Sequence, residues 1–183
     1  MKIISFNINS VRARPHQLEY IRDHLDPDVI GLQETKVHDD EFPVELVNEI
    51  GYQCEFWGQK GHYGVALLSK KKPLEISKGF LKDTAEDQKR FIQGRYKFKN
   101  GDILILNGYF PQGENRNHQT KFPKKVKYYK DLKSHIKKLQ KSSSNIILMG
   151  DFNVAPSEKD IGIGENNAKR WLRDGKCAFL PEE

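Results

Sequence analysis

The chain has 183 residues of which 37% are hydrophobic, enough for one domain with a sizeable core and too little for two comfortable ones. Its 31 Lys and Arg outnumber 25 Asp and Glu, and the net charge of +6 with a pI near 9.2 favours a polyanionic partner, nucleic acid foremost. No run approaches the length of a bilayer span, and Met1-Lys-Ile-Ile-Ser-Phe-Asn7 turns polar too early for a signal peptide, so a cytoplasmic protein without a membrane partner is expected.

Lys2 to Ile8 reads as a strand. Pro15 then opens a helix with Leu18, Ile21 and Leu25 on one face, and Pro27 ends it. Asp28 to Glu34 forms a second apolar strand, so the chain begins with a βαβ unit of the kind that pairs strands in parallel. A short helix over Val44 to Ile50 follows. Five short β-like runs come next: Tyr52–Trp57, Val65–Ser69, Leu74–Lys78, Phe91–Phe98 and Ile103–Tyr109. Glycines, Pro73 and the hairpin pair Asn100-Gly101 punctuate them, which predicts an antiparallel-rich middle. Lys124 to Lys141 is helical again, with Val126, Tyr129, Leu132, Ile136 and Leu139 on the buried face. Nine lysines between Lys121 and Lys141 against Asp131 alone make its outer face basic; this suits a solvated helix as well as attraction for a polyanion. The last strand runs from Asn145 to Asp151. Cys54 and Cys177 stand apart, without zinc spacing or a disulfide framework, and read as small hydrophobes in a reducing compartment.

Several of these strands end on a polar residue. Asn7 closes the first, Glu34 the second, Tyr109 a later one, and Asp151 with Asn153 the last. Ligands of α/β sheets gather outside the carboxyl ends of strands, so residues distant in sequence can meet there. Carboxylate and amide oxygens suit a hard cation, and the Asn amide can also donate to a phosphoryl oxygen. Taken singly, each has a plain alternative: an Asp/Asn turn, an exposed strand-end acid, an amphipathic tyrosine. His62 sits in a loop where it could touch a ligand or simply be exposed. His16, His24 and His135 are scattered and suggest neither a zinc site nor a triad.

Six ordered blocks carry a resemblance: Ser5-Phe-Asn-Ile-Asn9, Gly31-Leu-Gln-Glu-Thr-Lys36, Gly58-Gln-Lys-Gly-His-Tyr-Gly-Val-Ala66, Asn107-Gly-Tyr-Phe-Pro-Gln-Gly113, Gly150-Asp-Phe-Asn153 and Trp171-Leu-Arg-Asp-Gly-Lys176. Over essentially its whole length the chain resembles the exonuclease III and apurinic/apyrimidinic endonuclease family within the endonuclease/exonuclease/phosphatase superfamily. The resemblance implies a DNase I-like four-layer α/β sandwich, with two mixed sheets face to face and helices outside, in a single domain spanning residues 1–183. It also implies a monomeric enzyme that hydrolyses phosphodiesters of duplex DNA 5′ to an abasic site or from a 3′ end, with 3′-phosphatase capability and Mg²⁺, or Mn²⁺ in its place. By the same resemblance Glu34 is the main metal ligand, with Asn7, Asp151 and Asn153 around the cation. Asp151 exchanges a proton with the nucleophile or leaving oxygen, Asn153 holds a phosphoryl oxygen and Tyr109 contacts the scissile phosphate. Lys60, Arg90, Gln112 and Lys176 are the implied DNA contacts.

Two departures stand out. Ser10 occupies a place where the family commonly has Gly, and the family's closing Ser-Asp-His-x-Pro block, with an earlier Asp, has no counterpart; no His follows residue 135. The expectation is therefore a fragment that is inactive or feeble while its parent is active, supplying one sheet and only the first strand or so of the other. A phosphodiesterase or phosphatase of the same superfamily acting on a non-DNA substrate, and a non-catalytic DNA-binding remnant, are the competing readings. The Lys-rich face and the loops Gln59–Gly64 and Pro111–Gly113 argue against the first. Metal-independent, salt-sensitive binding would mark the second.

Overall fold

The computed structural model describes residues 1–84, 87–99, 101–143, 145–155, 160, 162, 164, 166, 167, 169 and 170. Among them the elements run β1 (Ile3–Asn7), α1 (Pro15–Leu25), β2 (Val29–Gln33), a 3-10 turn (Asp39–Glu41), α2 (Val44–Glu49), β3 (Gln53–Trp57), β4 (Val65–Ser69), β5 (Glu75–Lys78), β6 (Phe91–Phe98), β7 (Gly101–Tyr109), α3 (Lys121–Leu139) and β8 (Ile146–Asp151). Two compact units interleave along the chain, one of Met1–Tyr109 with Lys137–Asp151 and the other of Phe110–Ile136 with Phe152–Glu183.

In the first unit, β1, β2, β4 and β3 form one sheet in that order, and β5, β6, β7 and β8 form a second. The expected single sheet with a first strand or so of the other is thus corrected to two four-stranded sheets among the described residues. The runs after Val65–Ser69 do not extend the first sheet; they begin a new one, a switch that strand-length patterns do not reveal. Both sheets are mixed: β1 pairs with β2 and β7 with β8 in parallel, and the other pairings are antiparallel.

The parallel pair β1–β2 follows from its crossover. Pro15 starts α1 where its missing N–H is no loss, and Asp26 ends it in a left-handed conformation, its N–H reaching the carbonyls of Ile21 and Arg22. The Tyr52 hydroxyl donates to the Pro27 carbonyl at 2.9 Å and ties the following turn to α2's exit. All five residues of β2 and all five of β4 are buried, because each strand is covered on both faces. Alternation divides them. Ile30, Leu32, Ala66 and Leu68 pack with Leu18, Ile21, Val47 and Ile50 beneath the helices, whereas Val29, Val65 and Leu67 meet Ile92, Tyr96, Ile105 and Met149 of the second sheet. Each such Val, Leu or Ile contributes about 1.5–3 kcal/mol by leaving water. Gly31 lies where the sheets come close: a Cβ there would meet Met149 Cε at 2.3 Å and Asn107 Cγ at 2.9 Å.

In the second unit the Phe110 ring, fully buried, stacks on Phe152 at 4.5 Å and meets Tyr128 edge-on at 5.3 Å. The expected buried stripe of α3 is corrected at one position. Val126 is 50% exposed, and its neighbour Lys125 is buried instead, because Lys125 Nζ donates to the Asn153 carbonyl at 3.1 Å and draws its stem inward. The other eight lysines of the basic stretch are exposed, as the sequence predicts.

Candidate active site

The carboxyl ends of β1, β2, β7 and β8 lie at one edge of the first unit, and four of the expected residues meet there. Asn7, the last residue of β1, donates from Nδ2 to Glu34 Oε1 at 2.8 Å and to Asp151 Oδ2 at 2.9 Å. One carboxamide thus holds two carboxylates that are 144 minus 27, or 117, residues apart in the chain. Asn7 Oδ1 accepts from the Asn9 N–H at 3.1 Å, so its nitrogen, rather than its oxygen, faces the acids. The Tyr109 hydroxyl hydrogen-bonds Glu34 from the end of β7.

The backbone around Glu34 is fixed from both sides. Ile8, Ser10 and Val11 donate to the carbonyls of Gln33, Glu34 and Thr35, continuing the β1–β2 ladder past its last strand residue; Thr35 and Lys36 donate to Gly64 and Tyr63 opposite. This double lacing holds Glu34 at φ 54, with Asn9, Ser10, Lys36 and Tyr63 also at positive φ. Non-glycine residues gathered in that region store backbone strain, which the surrounding ladder supports. At β8 the residue before Asp151 is Gly150, at φ 147, and a Cβ there would lie 2.0 Å from the Gly108 carbonyl oxygen. Only glycine lets β8 approach β7 closely enough to deliver Asp151 beside Tyr109, its partner in register.

Electrostatics follow from these contacts. Burial pushes the Glu34 carboxyl up, yet hydrogen bonds from Asn7, Lys36 and Tyr109 outweigh it and hold the group below its ordinary value. Lys36 Nζ lies 2.8 Å from Glu34 Oε2 and also donates to Asn9 Oδ1. Burial, with the Glu34 charge behind it, pushes the Tyr109 phenol up to about 12. Arg90 sits between two rings, 4.3 Å from the Tyr63 centroid and 4.6 Å from that of Tyr109, and its Nη1 donates to the Tyr109 carbonyl at 3.0 Å. Gln88 braces this sandwich, accepting from Arg90 Nε at 2.6 Å and donating to the Tyr63 hydroxyl at 2.8 Å.

The remaining expected residues are placed differently. Asn153 belongs to the second unit, at φ 50, where its Nδ2 donates to the Phe110 carbonyl at 2.8 Å. Lys60 is exposed on the loop after β3, and Gln112 is exposed in the second unit. Lys176 and the Trp171–Lys176 block lie outside the described residues. Cys54 is a half-buried thiol that burial pushes up to about 11, consistent with a small hydrophobe. Sequence reasoning assigned no role to Lys36, Tyr63, Gln33 or Asn107. Parity offers a signal for the last two, since a carboxamide on the inward face of an otherwise apolar strand is a buried polar group that needs a partner.

A carboxylate pair against a carboxamide is a donor set of hard oxygens with surplus negative charge, which fits a divalent cation such as Mg²⁺. Among the described residues no group of three or more His, Cys, Asp and Glu gathers, so such an ion would draw on Glu34, Asp151 and the carboxamide oxygen of Asn7 once that amide turns.

The chain has counterparts among known proteins. The family described as "Endonuclease/Exonuclease/phosphatase family" matches residues 4–181. The chain is 56% identical over its whole length to exodeoxyribonuclease III of Haemophilus influenzae, covering 68% of that protein. Among solved structures it is similar to the 3′ phosphatase NExo from Neisseria bound to a product DNA hairpin, with TM-score 0.85, 26% identity and all of this chain on 66% of the other. The AP endonuclease from Archaeoglobus fulgidus gives TM-score 0.81 and 31% identity, again with all of this chain on 66% of that one. The chain therefore spans about two thirds of the length of these relatives.

Proposed function

The chain belongs to the endonuclease/exonuclease/phosphatase family, and from that footing we propose that the whole protein is a DNA-repair nuclease, cleaving duplex DNA 5′ to abasic sites and removing nucleotides from 3′ ends. The observation that carries this reading is the Asn7 bridge: it holds Glu34 and Asp151 together beside the Tyr109 hydroxyl at the carboxyl edge of the strands. The Neisseria relative's 3′ phosphatase name favours 3′-phosphate removal as a further capability. We assign the protein to the cytoplasm as a single-domain monomer, with Mg²⁺ as cofactor and Mn²⁺ as its substitute.

Phosphodiester hydrolysis needs a phosphate whose charge is neutralised, an activated water and a stabilised leaving oxygen. The bound cation, held by Glu34 and Asp151, would supply charge neutralisation at the phosphoryl oxygens. The rest belongs to the chain. Asp151 would take a proton from the attacking water or return one to the leaving oxygen. Tyr109 keeps its proton to about pH 12 and so donates a hydrogen bond throughout the neutral range, to Glu34 at rest and to a phosphoryl oxygen when substrate arrives. Asn7 holds the two acids together through its Nδ2 until the amide turns to offer the cation its oxygen. Asn153 would hold a phosphoryl oxygen with its amide, the role that the family resemblance implies for it. Lys60, Gln112 and Lys176 would contact the DNA backbone and position it without reading sequence, while Arg90 contributes charge and steadies Tyr109.

The test is an oligonucleotide duplex with one abasic site, incubated with the whole protein and Mg²⁺. A single nick 5′ to the lesion, abolished by EDTA and by Asp151→Asn, is the expected result. Intact duplex with the wild-type protein, or a nick that survives EDTA, overturns the proposal.

A further inference from the structure

Between the two sheets of the first unit, directly behind the candidate site, lies a pair of buried carboxamides that the chemistry above does not use. Asn107 is wholly buried and Gln33 is 1% exposed, in an interface otherwise built from Val29, Val65, Leu67, Ile92, Ile105 and Met149. Gln33 Nε2 donates to Asn107 Oδ1 at 2.6 Å and reaches the Gly31 carbonyl at 3.1 Å and Ser5 Oγ at 3.2 Å. Asn107 Nδ2 donates to the carbonyls of Leu32 at 2.9 Å and Ala66 at 3.0 Å. Two side chains thus join β7 of the second sheet to β1, β2 and β4 of the first. Gly31 leaves the room for them: a Cβ at that position would fall 2.9 Å from both Cγ and Oδ1 of Asn107.

Stability alone does not account for such a pair. One of the five bonds joins the two side chains and the other four fasten them to Ser5 Oγ and to three backbone carbonyls, so the pair selects particular strand positions where apolar side chains would fill the space without choosing among them. What hydrogen bonds add is direction. Apolar packing tolerates small slippage of one sheet over the other, whereas these bonds fix β2 against β7 within the narrow limits of donor–acceptor geometry. Gln33 immediately precedes Glu34, and Asn107 precedes Tyr109 by two residues. We propose that Gln33 and Asn107 are positioning residues: a clip between the sheets that sets where Tyr109 stands relative to Glu34. The inference rests on the nuclease reading given above.

The isosteric double variant Gln33→Met/Asn107→Leu, made in the whole protein, tests it. The melting temperature is expected to fall by several degrees, because Ser5 Oγ and three backbone carbonyls lose a donor, while the protein stays folded at the assay temperature, kcat for abasic nicking falls about tenfold or more and KM changes less than about threefold, as suits misplacement of a reacting group. In a Tyr109→Phe background the same double change is expected to alter kcat less than about twofold, since the hydroxyl it positions is gone. A purely structural role would cost as much in both backgrounds. An independent readout is the ¹³Cζ resonance of labelled Tyr109, which should move in the double variant. Unchanged kcat, an equal loss with and without the Tyr109 hydroxyl, or an unmoved Tyr109 resonance overturns the proposal. If the wild-type protein nicks no abasic DNA, the nuclease reading fails and the resonance alone decides the clip. Asn107→Ser, which is too short to reach both carbonyls, stands in should the double variant not fold.

Discussion

Glu34 is the residue on which the site's charge balance turns. Its carboxyl is held below the ordinary value of 4.5 in spite of burial, by bonds from Asn7, Lys36 and Tyr109. A group whose folded value is depressed stabilises the protein above its unfolded value and loses that contribution as pH falls through the folded one. In EDTA, the melting-temperature advantage of wild type over Glu34→Gln should therefore be full at neutral pH and shrink below about pH 4.5; an advantage that persists unchanged at pH 3 would contradict it. Tyr109 titrates at the other extreme, near 12, so Tyr109→Phe should lower kcat without moving either limb of the pH–rate profile between about pH 6 and 9. Ser10 gives a physical reason for the glycine that the family resemblance implies at that place: its φ is 88, a conformation that strains any side chain. Ser10→Gly should raise the melting temperature by about 1–3 °C, the equivalent of roughly 0.5–1 kcal/mol. A lower melting temperature would show that Ser10 contributes a contact worth more than the strain it bears. These three positions were legible to different degrees. Glu34 and Tyr109 announced themselves by ending apolar runs, and Ser10 by breaking a motif. Lys36 did not, because nothing in its neighbours distinguishes a lysine that pairs with Glu34 from one in solvent.

The elements themselves were largely written in hydrophobic period. β1, α1, β2 and the five central strands fall within a few residues of their expected bounds, since apolar runs of strand length and the Pro15 and Pro27 boundaries are local signals. The 3-10 turn at Asp39–Glu41 went unseen, because it is held by the His38 cap and the Asp39 bond to the Gly58 N–H rather than by any periodicity. Partnering between strands was also illegible: β5 is one more short run after Pro73, and its membership of the second sheet is set by its register with β6. Gly150 is the element-scale test. A methyl group there would overlap the Gly108 carbonyl, so Gly150→Ala should prise β8 from β7 and destabilise the protein by about 1–3 kcal/mol, read as a lower denaturation midpoint in urea. A midpoint equal to wild type would mean that the β7–β8 approach is looser than described.

At the scale of the whole molecule, the parts converge because four carboxyl strand ends share one edge, two from each sheet. That convergence could be anticipated as a pattern of polar strand ends, and the six sequence blocks gave it a family. The inter-sheet link of Gln33 and Asn107 could not, because their partnership joins positions 74 residues apart and exists only once the sheets face each other. The proposed nuclease depends on Glu34 and Asp151 forming one cation-dependent phosphodiester site. The direct measurement is the rate of nicking at a single abasic site by the whole protein, titrated with Mg²⁺, for wild type and Glu34→Gln. Glu34→Gln is expected to raise the Mg²⁺ concentration for half-maximal rate by about tenfold or more, as loss of a charged ligand should. A Glu34→Gln protein with the wild-type Mg²⁺ requirement and the wild-type rate would contradict it.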